Sequence, residues 1–294
     1  MSKLAKFFIT CAAVFVVGLV MLIAGIATGG VEGLEKVSED HHWVSTGTGA
    51  RATVDISGQK FDSIETIGYV DVVVVGPKYY DTIVGEYDVE DIAEPKAGYV
   101  LAIFGNNLEA PEMAVKNNTL QITAPEFEFD GINLDFSSEA YYPTVLVFCP
   151  DKELAQVKVN SSACDVFLYG VTCKDVDVRI NSGDIHADDI VTKGMIIESD
   201  AGDIEMMGDF KGTTKIQTSS GDVQLDTKAA LKEYSMKVTA ASGDIVIDDE
   251  EIEGNNDEEG YRYTQDGGKD TLLIKVDSGD IKIRQYEDPD TISL

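Results

Sequence analysis

From residue 155 to residue 285 apolar and polar side chains alternate, and the alternation slips by one position at a recurring Ser-Gly-Asp word. Aligned on its glycine, Val159, Val178, Ile197, Ile216, Val238 and Ile274 stand five positions earlier, while Asn160, Arg179, Glu198, Gln217, Thr239 and Lys275 stand four earlier. Val166, Ile185, Ile204, Val223, Ile245 and Ile281 follow two positions later, and Leu168, Ala187, Met206, Leu225, Ile247 and Ile283 four later. A period of two on each side predicts one half-buried strand before the word and another after it. Inward positions are odd before the glycine and even after it, so the chain must bend there. Glycine accepts positive φ without steric cost, and a neighbouring aspartate can bond nearby backbone N–H groups.

The corners are Gly183-Asp184, Gly202-Asp203, Gly221-Asp222, Gly243-Asp244 and Gly279-Asp280, spaced by 19, 19, 22 and 36 residues. One step earlier Cys164-Asp165 takes the same place, and a differently shaped corner is expected there. Periodicity of this size predicts a stack of like units that bury their apolar faces only against one another. The expected fold is all-β: a single-stranded, β-helix-like β-solenoid with rungs of about 19 residues and roughly 4.8 Å between them. Its aspartates would form one column in chain order. "IETIGYVDVVVVG" (64–76), "TLQITA" (119–124), "TVLVFCP" (144–150) and "AQVKVN" (155–160) read as earlier, degenerate rungs, and no amphipathic helix of ordinary length stands out after residue 43. The acidic stretches 126–140 and 248–260 read as solvated loops.

The N-terminus has a different pattern. Lys3 and Lys6 precede an uncharged apolar run from Phe7 to Ala27, the length of a bilayer-spanning helix and longer than the apolar part of a cleaved leader. Positive charge before it and Glu32, Glu35, Glu39 and Asp40 after it place the N-terminus in the cytoplasm. The expected organisation is a cytoplasmic end (1–6), a transmembrane signal anchor in the lipid bilayer (7–28), a juxtamembrane linker (29–43), an extracytoplasmic solenoid (44–288) and a short tail (289–294). A net charge of −30 disfavours nucleic acid and anionic lipid surfaces as partners of the exterior part.

Candidate chemistry is sparse. A column of carboxylates suggests two roles: backbone-bonded corners, or calcium shared by adjacent rungs, with Asp203 and Asp222 as the candidate ligands. Cys11 lies in the span; Cys149, Cys164 and Cys173 read as buried thiols, with a Cys164–Cys173 bridge as the alternative. No catalytic residue is assigned, because nucleophile, zincin and phosphate-loop motifs are absent, and His186 occupies an ordinary outward position. "GTGARA" (47–52) opens no helix and reads as a linker or first turn. His41 and His42 fall in the linker, and Asn117 and Asn160 lie in glycosylation sequons.

The Lys-containing N-terminus, single apolar span and strand-"SGDI"-strand rungs resemble the bacterial "putative adhesin" family of β-strand-repeat envelope proteins, whose function is unknown. The likeness covers roughly residues 50–286. It implies a β-solenoid exposed on the cell envelope, in a family some of whose members accompany envelope-stress systems, and it carries over no catalytic residue. The C-terminal "DPDTISL" has no sorting signal, so attachment is expected to rest on the N-terminal span. The expected function is a non-enzymatic, membrane-anchored, adhesin-like binding or scaffold protein whose partner is an envelope polymer or envelope protein. Alternatives are an accessory regulator of an envelope-stress response and a calcium-dependent polysaccharide-acting enzyme.

Overall fold

The computed structural model describes residues 50–55, 59–87, 97–104, 110–124, 143–252 and 260–286. The expected anchor (7–28), its flanks 1–6 and 29–43, Cys11, His41, His42, the whole 126–140 loop and the tail 289–294 lie outside these residues. Among the described residues no helix is long and apolar enough to cross a membrane.

Nineteen strands among the described residues form one sheet. In chain order they are β1 (Ala50–Asp55), β2 (Ser63–Ile67), β3 (Asp71–Val75), β4 (Tyr99–Phe104), β5 (Glu112–Lys116), β6 (Thr119–Thr123), β7 (Thr144–Phe148), β8 (Leu154–Ala163), β9 (Val166–Tyr169) and β10 (Thr172–Ser182). Then follow β11 (Ile185–Ala201), β12 (Ile204–Ser220), β13 (Val223–Thr227), β14 (Tyr234–Ala240), β15 (Ile245–Ile247), β16 (Glu250–Glu251), β17 (Tyr261–Gln265), β18 (Asp270–Ser278) and β19 (Ile281–Gln285). β11 and β12 run unbroken from one corner to the next, so no separate connector stands between those rungs. The surplus residues are absorbed by register shifts after Ala187 and Thr192, with Asp189 at φ +56°.

The limbs before the corners pair in parallel in the order β6, β2, β8, β10, β11, β12, β18, β14. The limbs after the corners follow the same scheme: β7, β3, β9, β11, β12, β13, β19, β15. The 19-residue offset appears directly in the register, for example Val178 on Val159 and Ile197 on Val178. Expected chain order fails at both ends. The β18–β19 rung lies between the Gly221 and Gly243 rungs, and β2–β3 lies between β6–β7 and β8–β9. Rungs with similar edges can pair in any order, so sequence spacing alone does not rank them. Antiparallel strands cover the outer rungs: β5 on β6, β4 on β7 with β1 beyond it, β17 on β14 and β16 on β15. They occupy backbone groups that an open parallel edge would present to other chains.

Inward side chains from both limbs share one core, so the two limbs face each other across it. Columns such as Val159, Val178, Ile197, Ile216, Ile274, Val238 and Val166, Ile185, Ile204, Val223, Ile281, Ile245 are each buried. Each such side chain contributes about 1.5–3 kcal/mol relative to exposure.

"IETIGYVDVVVVG" forms a rung, as expected: its two limbs are β2 and β3, and the chain bends between them at Gly68, which has φ +100°. One short helix accompanies the strands among the described residues. α1 (Tyr80–Glu86) begins after Gly76 and a 3-10 turn with Pro77 at its start, and its seven residues are too few to display a helical period. Its buried Ile83 packs on Val73, Val75, Leu146 and Phe148, the outer side of the second limbs. Residues 248–252, expected as loop, turn through Asp248 and Asp249 at positive φ into β16; 253–259 lie outside the described residues.

Candidate functional site

Each Gly-Asp corner is built from two requirements that only the stack reveals together. Gly183, Gly202, Gly221, Gly243 and Gly279 have φ of +116° to +143°, a region L side chains rarely adopt. A Cβ on any of them would also lie 1.9–2.2 Å from a backbone carbonyl oxygen of the adjacent corner. The neighbour there is backbone, which cannot swing aside. Cys164, at the same position, is absent from the positive-φ residues, and its side chain is buried.

The aspartates form a hydrogen-bonded ladder. Asp184 N–H donates to Asp165 Oδ1, Asp203 N–H to Asp184 Oδ1 and Asp222 N–H to Asp203 Oδ1, each at 2.8 Å. Asp280 N–H then donates to Asp222 Oδ1 at 2.7 Å and Asp244 N–H to Asp280 Oδ1 at 2.8 Å, so Asp280 precedes Asp244 in the column. At the other end Asp165 N–H donates to Asp71 Oδ1 at 2.9 Å, a rung that the Ser-Gly-Asp pattern did not reveal because its corner reads "GYVD". Burial pushes Asp71 up to about 7; the Asp165 N–H opposes this rise and the Asp165 carboxylate adds to it. Asp165 is raised as well, first by burial.

A second corner device went unread in the sequence. Three positions before the marker, buried hydroxyls of Ser161, Ser199 and Thr218 donate to the carbonyls of Ala163, Ala201 and Ser220 at 3.2, 3.2 and 3.1 Å. The signal was available as a hydroxyl recurring at an otherwise apolar inward position.

Asp203 and Asp222 are thus adjacent in the column, each with Oδ1 turned to a backbone N–H. Among the described residues no group of three or more His, Cys, Asp or Glu is arranged to hold a metal ion. Cys149, Cys164 and Cys173 are free and buried, with no Cys164–Cys173 bridge. Burial pushes Cys164 up to about 12 and Cys173 up to about 11, and Cys149 higher, so these thiols stay protonated at neutral pH.

The outward face of the first limbs carries the accessible chemistry. Asn160, Arg179, Glu198 and Gln217 stand side by side on successive rungs, with Asn181, Asp200 and Ser219 in the next row. Together they line an open polar depression of about 340 Å³. Arg179 bonds Asp177 at 2.9 Å and also pairs with Glu198, which accepts from Lys215 Nζ at 2.8 Å. The Lys215 hydrogen bond holds the Glu198 carboxyl below its usual range. These ion pairs fix the side chains as a ladder of alternating charge across the rungs. Asn160 is exposed at its edge, and Asn117 sits at the exposed β5–β6 turn with φ +52°.

The outward face of the second limbs is different. Tyr169 lies 5.8 Å from Tyr79 and 5.7 Å from His186 between ring centroids, and Tyr79 Oη donates to Asp188 Oδ2 at 2.8 Å. Lys78 bonds Asp189 at 2.6 Å, which fastens the start of the helical segment to the β11 bulge. His186 Nδ1 is 3.7 Å from Glu205. No nucleophile–base pair appears among these contacts.

The family model described as Toastrack DUF4097 matches residues 106–284. Among solved structures, a "putative cell adhesion protein" from Clostridium sporogenes is similar at 15% identity and TM-score 0.47, covering 81% of this chain and 100% of that one. A "putative adhesin" from Bacteroides fragilis is similar at 11% identity and TM-score 0.41, covering 81% and 96%. A "putative lipid binding protein" from Parabacteroides distasonis is similar at 13% identity and TM-score 0.33, covering 82% and 98%. No curated protein matches the chain.

Proposed function

The chain belongs to the Toastrack DUF4097 family, and from that premise we propose that it is a non-enzymatic, adhesin-like binding protein of the bacterial cell envelope. Residues 7–28 tether it to the membrane with the N-terminus in the cytoplasm, and the coiled stack, a β-solenoid in its central rungs, stands outside. The observation that supports binding is the polar depression across four rungs. Equivalent positions there carry Asn160, Arg179, Glu198 and Gln217, donors and acceptors repeated at the rung spacing. Such a surface suits an extended, hydrogen-bonding partner such as an envelope polymer better than a compact apolar ligand.

The test uses the full chain with purified wall polymers, scored for co-sedimentation and for cleavage products. Binding without release of reducing ends or unsaturated sugars is expected. Arg179→Ala should weaken it by roughly fivefold or more, the scale of truncating a central interface arginine. Turnover of the polymer, or binding indifferent to Arg179→Ala, sinks the reading. Proteolysis of intact cells tests the tether: the stack should be cleaved from outside.

A further inference from the structure

At the C-terminal end of the stack, residues 270–285 fill a seam whose two walls, 213–227 and 234–247, are consecutive in the chain. β18 pairs in parallel with β12 on one side and β14 on the other, and β19 pairs with β13 and β15. The corner ladder passes through the insert, from Asp222 Oδ1 to Asp280 and from Asp280 Oδ1 to Asp244. The walls themselves match. If the insert were withdrawn, Asp244 N–H would meet Asp222 Oδ1, the same donor and acceptor that now meet Asp280. Gly243, whose missing Cβ makes room for the Gly279 carbonyl, would make the same room for that of Gly221. Inside, Ile216 would meet Val238 where each now meets Ile274.

The insert is held by particular ties. Arg284 Nη2 donates to Asp226 Oδ2 at 2.8 Å, and Gly212 N–H donates to Asp270 Oδ1 at 2.7 Å; both acids are nearly buried, at 8% and 9% exposure. Both bonds reach the β12–β13 rung; toward the other wall the insert has a longer, exposed ion pair, Lys282 Nζ to Asp249 Oδ1 at 3.8 Å. On the other side the chain straddles β14: β17 lies antiparallel on its outer edge, β18 on its inner edge, and residues 266–269 cross between them. A Cβ on Gly268 would lie 2.1 Å from the Tyr234 carbonyl carbon, so the crossing is pressed against the β14 backbone.

Loop-closure cost favours the other order. Gly221 to Gly243 is 22 residues and Gly221 to Gly279 is 58, so the walls meet each other at lower entropic cost than either meets the insert. The observed order therefore rests on the extra bonds and on the edge cover that β17 supplies.

We propose that this seam is a strand-acceptor slot. Residues 270–285 leave and re-enter it as a unit, and the walls close on each other in chain order while it is out. The proposal fixes an unusual ranking of local stability. In a stack without such a slot an interior rung opens only after the rung outside it, so protection falls toward the end. Here the interior rung opens first.

Native-state hydrogen exchange on the full chain tests this. Amides of 272–276 and 281–283 should exchange at least tenfold faster than those of 236–240, although the latter lie nearer the end of the stack. Arg284→Gln, which severs the tie to Asp226, should accelerate 272–283 by a further tenfold or so and leave 236–240 unchanged. Exchange in 272–283 as slow as in 236–240 or slower overturns the slot. So does a common response of both segments to Arg284→Gln.

Discussion

Asp203 Oδ1 accepts the backbone N–H of Asp222 at 2.8 Å, and the bond repeats at every neighbouring corner. A carboxylate on one rung thereby satisfies an amide on the next, which turns a row of like charges into a ladder. Charge-assisted bonds of this kind exceed neutral ones in strength, although these corners are exposed and solvent weakens them.

Asp203→Ala removes an acceptor and leaves the Asp222 N–H to water, whereas Asp203→Asn keeps an oxygen in place. Urea unfolding should show a loss of about 1–2 kcal/mol for alanine and less than half of that for asparagine. Equal losses would show that charge, not the acceptor, is what the corner needs.

Calcium is a direct probe of the same oxygens. Because Asp203 Oδ1 and Asp222 Oδ1 are committed to backbone N–H groups, millimolar calcium or a chelator should leave the thermal midpoint unchanged. A midpoint that rises with calcium and falls with chelator would assign Asp203 and Asp222 a shared ion.

Gly202→Val combines a disfavoured φ of +124° with a Cβ that would sit 2.0 Å from the Gly183 carbonyl oxygen. The φ strain alone costs on the order of 1–3 kcal/mol, and the clash with backbone adds to it. The midpoint should fall by about 2–4 °C per kcal/mol lost. Gly85→Val, on helix α1 where an added Cβ meets nothing within 4 Å, is the control for a glycine with room to spare.

Stability should respond to pH through Asp71. Its folded-state value of about 7 lies above the ordinary 3.8, so between these values the folded state binds more protons than the unfolded state. This group's contribution is therefore fully present below about pH 4 and is lost as pH rises through about 7. Asp71→Asn retains an acceptor for the Asp165 N–H without the charge, so its advantage over wild type should grow from pH 4 to pH 8 in chemical unfolding. Parallel curves would show that Asp71 titrates normally.

Much of the central stack is legible in the sequence. Inward residues such as Val178 and Ile185 and the bends at Gly183, Gly202 and Gly221 follow from local pattern, because a strand's two-residue period and a glycine's freedom are properties of the chain itself. The rung of residues 64–76 is legible as β-rich, but the place of Asp71 in the aspartate column is not, since its corner reads "GYVD" without Ser-Gly-Asp. Helix α1 is not legible because seven residues show no period; its Ile83 packs in one buried cluster with Val73 and Phe148. In the outward depression, Asn160, Arg179, Glu198 and Gln217 were visible as a polar row, but the pairing of Glu198 with both Arg179 and Lys215 required the rungs to be in register.

By itself the sequence determined what a rung is: which residues turn inward, where the chain bends and which acids stand at the bends. Only the tertiary structure decided the order of the rungs, with Asp280 between Asp222 and Asp244 and β2–β3 behind β6–β7. The physical reason is that every rung offers nearly the same backbone edge and apolar columns, so local pattern cannot rank neighbours. The choice falls to contacts between distant residues, Arg284 with Asp226 and Asp270 with Gly212, which exist only once the chain has coiled.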